Sequence, residues 1–199
     1  MSTLSNRHSM MARIGTVAAT LLCAVLSTSA LAHADNASGV QIDLGGTGGD
    51  GFIADTYWSG GSADTMPSGT PSLRNFGGTV THPLPAGIWD TSRVGESTYT
   101  IPDLGAGATY QARLYFLDWY FKHAGQREFD VSINGTTVLT NFDIIAAAIA
   151  RGADGQEAFG VEKDFPVTAD ATGTVTIAFT RDAVDQPQVN AIALVPASS

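Results

Sequence analysis

Alternation of apolar and polar residues is the clearest pattern in the sequence. Every second residue is apolar over residues 109–116, and the same period recurs over residues 128–133 and 174–180. A period of two places the apolar side chains on one face of an extended chain. We therefore predict a half-buried β-strand at each of these positions.

Turn residues separate these apolar runs. Asn134 and Gly135 lie between the run that ends at residue 133 and a second short run at 137–139. Both residues tolerate the positive φ of a type I′ turn, so this is a strong hairpin signal. Further strands are predicted by similar runs at 40–44, 97–101, 159–167 and 189–195.

Two segments depart from this pattern. Gly, Ser, Thr and Pro dominate residues 48–87, which predicts mostly loop, with short pairings at 52–53 and 79–81. Residues 144–150 are Ile and Ala, preceded by Asp143 as a candidate N-cap, and predict a short helix. Strands that recur about every ten residues with turns between them indicate an all-β sandwich or barrel.

The N-terminus has the pattern of a secretory signal peptide. Basic residues at Arg7 and Arg13 precede an apolar stretch over residues 14–26, and Ala32-His33-Ala34 supplies a small-x-small end. The apolar stretch is shorter than the about 20 residues that cross a bilayer. We predict a signal peptide at residues 1–34, a single domain at residues 39–197, and a secreted location, extracellular or periplasmic.

Composition excludes several classes of partner. The net charge is −9, and removal of residues 1–34 takes away basic residues but no acidic ones. A negatively charged surface repels phosphate backbones and anionic lipids, so nucleic acid and membrane partners are not expected. The single cysteine, Cys23, lies in the signal sequence, which leaves no disulfide or catalytic thiol in the mature chain.

Several motifs, taken together and in order, resemble the malectin domain family of carbohydrate-binding modules. They are Ile42-Asp43-Leu44-Gly45-Gly46, Asp55-Thr56-Tyr57-Trp58, Ile88-Trp89-Asp90-Thr91-Ser92-Arg93-Val94-Gly95, Leu114-Tyr115-Phe116-Leu117-Asp118-Trp119-Tyr120-Phe121, Arg127-Glu128-Phe129-Asp130-Val131-Ser132-Ile133-Asn134-Gly135 and Asp185-Gln186-Pro187-Gln188-Val189-Asn190. The match extends over residues 41–195. The resemblance implies a jelly-roll β-sandwich that binds oligosaccharides, in a secreted single-domain member of bacterial type.

The resemblance also implies a carbohydrate site made of aromatic side chains and one acid. By motif, its residues are Tyr57, Trp89, Tyr120, Phe121 and Asp185. Trp89 stands where malectin has a tyrosine. Aromatic faces cover the C–H face of a pyranose, and a carboxylate accepts hydrogen bonds from its hydroxyls, so these residue types suit a neutral sugar.

Other functions remain open at the level of sequence. Tyr57 and Trp89 are equally compatible with core positions in a structural or protein-interaction domain that has lost sugar binding. A small glycoside hydrolase would need two suitably spaced carboxylates, for which Asp118, Asp130 and Asp185 are candidates. We expect no enzyme activity, no cofactor and no catalytic metal.

Two further expectations concern ions and partners. Asp43, Asp50 and Asp55 lie near glycine-rich loops and could hold a structural calcium ion, although they lack the usual calcium-loop spacing. A carbohydrate-binding module of this kind also works beside glycan-degrading enzymes, so such enzymes are potential partners.

Overall fold

The computed structural model describes residues 39–155 and 157–197, so the predicted signal peptide lies outside the described residues. In this part the elements, in chain order, are β1 (Val40–Asp43), β2 (Trp58–Thr65), β3 (Ser72–Leu73), a 3₁₀ helix (Ala86–Asp90), β4 (Thr91–Ile101), β5 (Thr109–Phe116), β6 (Glu128–Ile133), β7 (Thr136–Phe142), α1 (Ile144–Ile149), β8 (Ala158–Phe159), β9 (Val161–Thr168), β10 (Val175–Val184), β11 (Gln188–Val189) and β12 (Ala191–Pro196).

The strands form a β-sandwich, as predicted. The first sheet has the order β1-β12-β5-β9, with all pairs antiparallel. In the second sheet β4 pairs with β2, β10 and β11, β10 pairs with β6, and β6 pairs with β7. The described helices include none that is long and apolar enough to cross a membrane.

Alternation along the strands builds the main core between the two sheets. Tyr110, Ala112 and Leu114 of β5 are buried there, against Tyr99 and Phe179 from the second sheet. The opposite face of β5 carries Gln111, Arg113 and Tyr115, as the period of two requires.

A second core covers the outer face of the first sheet. Trp89 packs edge-on against Tyr115, with ring centroids 5.7 Å apart. Met66, Val80 and Leu84, from the long segment between β2 and β4, are buried in the same cluster. The glycine-rich and proline-rich segment is therefore mostly loop, as predicted, but it packs as a third layer.

Gly160 shows how closely this third layer approaches. Its N–H donates to the carbonyl of Leu73, and a Cβ at this position would lie 1.7 Å from the carbonyl oxygen of Arg74. Only glycine allows the two backbones to pass at this distance.

The hairpin and the helix agree with the sequence. Asn134 and Gly135 have φ values of 48° and 76°, as a type I′ turn requires. Asp143 caps α1 by accepting a hydrogen bond from the Ala146 N–H at 2.9 Å.

Strand β2 was missed by the sequence prediction, which treated residues 48–87 as mostly loop. All eight of its residues are exposed, so it has no apolar face and no alternation that a sequence could display. It forms because its backbone pairs with the edge of β4, from Trp58 opposite Tyr99 to Thr65 opposite Thr91.

Candidate functional site

The loop after β5 presents an aromatic pair at the surface. Asp118 Oδ1 accepts hydrogen bonds from the backbone N–H groups of Tyr120, at 2.9 Å, and Phe121, at 3.0 Å. This turn directs Trp119 inward, where it is 7% exposed, and Tyr120 outward, where it is 72% exposed. A single carboxylate thus holds the backbone from which Tyr120 and Phe121 project.

Arg127 is hydrogen-bonded to this loop. Its Nε donates to Asp118 Oδ2 at 2.8 Å, and the two side chains are 4% and 1% exposed. The guanidinium carbon lies 5.1 Å from the centre of the Phe121 ring, and Nη1 donates to the carbonyl of Gln186. Arg127 therefore ties the aromatic loop to the chain between β10 and β11.

Asp185 lies in that same chain segment. Its Oδ2 is 3.6 Å from Nη2 of Arg127, and its side chain is 38% exposed. Its φ of 56° is in the left-handed region, which Asp adopts more readily than most residues. Hence Phe121 and Asp185 both lie beside one buried arginine, and Tyr120 contacts Phe121. We call these three residues the Tyr120 surface.

The Tyr120 surface is open and shallow. The Tyr120 and Phe121 rings are perpendicular, with centroids 4.9 Å apart. The cavity between Phe121 and α1 has a volume of about 10 Å³, lined by Ile144, Ala148 and Phe159 among others. Space for about one water molecule cannot enclose a sugar ring, so a ligand would lie across the surface.

The structure places Tyr57 elsewhere. Its side chain is 40% exposed, its φ is 64°, and its carbonyl accepts from the N–H of Thr100. The loop of Asp185 instead contacts β4 at Gly95, whose N–H donates to Pro187. Five residues of strand span about 16 Å, and Tyr57 lies at the Thr100 end of this span.

Tyr57 faces a different cleft. This cleft, of about 610 Å³, lies on the outer side of the first sheet and includes Gln41, Ile53 and Arg113. The neighbouring residue Trp58 is 46% exposed. Adjacent side chains in an extended chain point to opposite sides, so one of the two rings would ordinarily pack inward. The left-handed backbone of Tyr57 breaks that alternation.

Trp89 corrects the second sequence-based expectation. It is fully buried, with 0% of its surface exposed, and its indole N–H donates to Asn75 Oδ1 at 3.0 Å. Both its face and its polar atom are thus occupied within the second core. In this structure it has no surface with which to contact a sugar, because the third layer covers it.

A second exposed aromatic, Trp58, also sits on an arginine. The guanidinium carbon of Arg93 lies 3.7 Å from the centre of the Trp58 ring, and Arg93 pairs with Asp55. Tyr99 donates its hydroxyl to Asp55 at 2.8 Å, and burial, followed by the Asp55 charge, raises the pKa of Tyr99. We call Tyr57 and Trp58 the Trp58 surface.

Two of the three acids considered for calcium have protein partners. Asp43 accepts hydrogen bonds from the Thr91 hydroxyl and the Gly48 N–H, and Asp55 accepts from Arg93, Tyr99 and the Gly45 N–H. Within the described residues, Asp43, Asp50 and Asp55 do not form a group whose oxygens converge.

Sequence reasoning missed Arg127 as a site residue. Its partners Asp118, Asp185 and Gln186 are nine, 58 and 59 residues away in the chain. No local sequence pattern therefore predicts these contacts. The run Asp118-Trp119-Tyr120-Phe121 does carry a signal, because Asp commonly accepts from N–H groups two and three residues on.

The family model described as "Malectin domain" matches residues 33–192. The chain belongs to the malectin domain family. Malectin-like domains are binding modules and not enzymes. Among curated proteins, none matches the chain at a significant level.

Solved structures share the malectin-like fold. They include the ANXUR1 extracellular domain from Arabidopsis thaliana, with a TM-score of 0.66 and 18% identity, covering 80% of this chain and 48% of that one. The ANX2 ectodomain from the same plant has a TM-score of 0.65 and 16% identity, with 80% and 50% covered. A structure of the plant peptide RALF23 in complex with FER and LLG2 has a TM-score of 0.67 and 18% identity, with 80% and 48% covered. This chain thus spans about half the length of these chains.

Proposed function

We propose that the Tyr120 surface binds a neutral oligosaccharide or the end of a polysaccharide, outside the cytoplasm. The observation that carries this proposal is an aromatic ring that is 72% exposed on a loop whose backbone N–H groups at Tyr120 and Phe121 are held by a buried acid. Burying so large a ring at an interface gains contact area at little entropic cost.

The chemistry of the surface supports a sugar. The Tyr120 ring offers a flat apolar face for the C–H groups of a pyranose, and its hydroxyl both donates and accepts. Asp185 retains an exposed carboxylate oxygen for a sugar hydroxyl, because Arg127 lies 3.6 Å from it and not in close contact. A fixed aromatic face beside one oriented acceptor is the combination that selects a ring with equatorial hydroxyls.

The charge of the chain favours a neutral ligand. With a net charge of −9, and with the exposed acid in the surface itself, an anionic polysaccharide would be repelled. Family membership supports carbohydrate recognition, and the secretion signal expected at residues 1–34 agrees with an extracellular or periplasmic role. A glycan-degrading enzyme is a suitable partner, because a non-catalytic module can hold it on its polymer.

The proposal is tested by a glycan array followed by calorimetric titration of the best ligand. Wild-type protein should bind one class of neutral glycan, and Tyr120→Ala should lose most of that binding while melting at an unchanged temperature. Tyr57→Ala is the matched control, since it removes another exposed tyrosine outside the surface. Equal binding by wild type and Tyr120→Ala would refute the site.

A protein or peptide ligand is the second candidate function. It is supported by the neighbouring structure in which FER is complexed with RALF23 and LLG2, at an identity that carries only the fold to this chain. A chain with this function would bind no glycan reproducibly in the array. The binding of Tyr120→Ala and Tyr57→Ala to the protein or peptide ligand would then be compared.

A further inference from the structure

Three potential metal ligands converge on the outer side of the first sheet, away from the residues of the Tyr120 surface. They are His82, from the third layer, and Glu162 and Asp164, two residues apart on β9 and hence on the same face. Their ligand atoms all lie within 4.8 Å of one another. Among the described residues no other His, Cys, Asp and Glu side chains converge in this manner.

The backbone fixes Glu162 in a suitable orientation. Its Oε2 accepts from the Thr81 N–H at 2.6 Å, the Thr81 hydroxyl at 3.0 Å and the His82 N–H at 2.8 Å. Its Oε1 is 2.6 Å from Nδ1 of His82. One oxygen is thus saturated by the protein, and the other is directed at the imidazole. Ligating carboxylates are commonly held in this way by hydrogen bonds to their second oxygen.

Asp164 adds a second carboxylate near the same imidazole. Its Oδ2 lies 3.8 Å from the same Nδ1 of His82, which is too far for a hydrogen bond. One imidazole nitrogen therefore faces two carboxylates and can donate to only one of them. A cation between the three groups would contact both acids at once.

We propose that His82, Glu162 and Asp164 form a binding site for a divalent transition-metal ion, for which Zn²⁺ is the probe. One imidazole nitrogen and two carboxylate oxygens are ligands that zinc accepts. Tetrahedral zinc would separate its ligand atoms by about 3.4 Å, so His82 must withdraw slightly from Glu162. The His82 side chain is 44% exposed and has the freedom to do so.

The surroundings define the type of site. On β5, Tyr115 lies opposite Glu162 and Arg113 lies opposite Asp164. Arg151 and Lys163 border a cavity of about 250 Å³ beside Glu162 and Asp164. These cations offset part of the negative charge, which argues for moderate affinity. Three protein ligands with solvent alongside leave a fourth position open, as in exchangeable rather than closed structural zinc sites.

The test is calorimetric titration of the chelator-treated full-length chain with Zn²⁺ at about pH 7.5, because protons compete with the metal for its ligands at lower pH. We expect one zinc per chain at this site, and at least about tenfold weaker binding in Asp164→Asn and in His82→Gln. His123→Gln, which removes an exposed imidazole elsewhere, is the matched control and should bind as wild type does. Thermal melting of each variant establishes that it is folded.

A crystal soaked in Zn²⁺ gives the second measurement. An anomalous peak at bonding distance, about 2.0–2.1 Å, from Nδ1 of His82 supports the site. A peak elsewhere, no binding up to about 1 mM zinc, or an unchanged dissociation constant in Asp164→Asn overturns it. Because these ligands are not part of the Tyr120 surface, the glycan array decides the proposed function independently.

Discussion

The Tyr120 surface and the Trp58 surface are built on the same plan. In each, an aromatic ring lies over an arginine that is almost fully buried and paired with a buried aspartate: Arg127 with Asp118, and Arg93 with Asp55. The rings are Phe121, 5.1 Å from its guanidinium, and Trp58, 3.7 Å from its own. Each surface also has an exposed tyrosine.

The two surfaces differ in how far the acid beside the arginine is exposed. Around Arg93, Asp55 accepts from the arginine, from Tyr99 and from Gly45, and its side chain is 7% exposed. Around Arg127, Asp185 stands at the rim with its side chain 38% exposed. The acid paired with the arginine of the Trp58 surface is therefore enclosed, whereas the acid beside Arg127 in the Tyr120 surface is partly exposed.

Exposed aromatic residues alone therefore do not identify a sugar site. Apolar area gives affinity, but an oriented polar group is needed to select a hydroxylated ring. The Asp55–Arg93–Tyr99 network uses all of its polar groups internally, and so acts as a support for the chain between β1 and β4. Substitutions in the two surfaces distinguish residues that support the fold from residues that recognise the ligand.

Removal of the buried arginines has the largest expected effect. Arg127→Gln and Arg93→Gln each leave a buried carboxylate without its partner, which costs about 3–5 kcal/mol in free energy of unfolding. Both losses are measured by urea denaturation. At a temperature where the variants remain folded, only Arg127→Gln should abolish glycan binding. Similar losses of binding in both variants would show that the two surfaces recognise the ligand together.

Removal of the exposed tyrosines comes next. Tyr120→Ala should weaken glycan binding by about 2 kcal/mol, or about thirtyfold, as truncation of a central aromatic contact does. Its free energy of unfolding should change by less than about 0.5 kcal/mol, because the side chain is exposed. Tyr57→Ala is the control, and titration calorimetry is the measurement. A larger effect from Tyr57→Ala would move the site to the cleft on the first sheet.

The charge of Asp185 has a smaller expected effect. Asp185→Asn keeps the shape and tolerates the left-handed φ of 56°, but replaces a charge-assisted hydrogen bond with a neutral one. Binding should weaken by about 1 kcal/mol, or about fivefold. The same titration measures it, with Asp182→Asn, near the end of β10, as a control. An unchanged dissociation constant would remove Asp185 from the ligand's contacts.

Much of the fold was predictable because burial leaves a period of two in the sequence. The alternation over residues 109–116 and 128–133 and the Asn134-Gly135 turn are local signals, and the structure confirms them. Strand β2 has no buried face. Its formation depends on backbone pairing with β4, which requires no particular pattern of apolar and polar residues. Only the tertiary structure could reveal it.

The candidate site was less predictable for a related reason. Tyr120 and Phe121 follow an Asp that organises them locally, but the position of Trp89 depends on how residues 66–90 pack on the first sheet. That packing buries Trp89 beside Tyr115 and gives its N–H to Asn75. Exposure of an aromatic residue is a property of distant parts of the chain, and sequence position alone does not decide it.

The contact of Trp58 with Arg93 has the smallest expected effect and the sharpest diagnostic value. Trp58→Ala removes a cation–π contact near the surface and should lower the free energy of unfolding by about 0.5–1 kcal/mol, while Trp58→Phe should retain part of it. Urea denaturation measures both, and the glycan titration should not change. A loss of glycan binding in Trp58→Ala would mean that the Trp58 surface also recognises the ligand, and would contradict the distinction between the two surfaces.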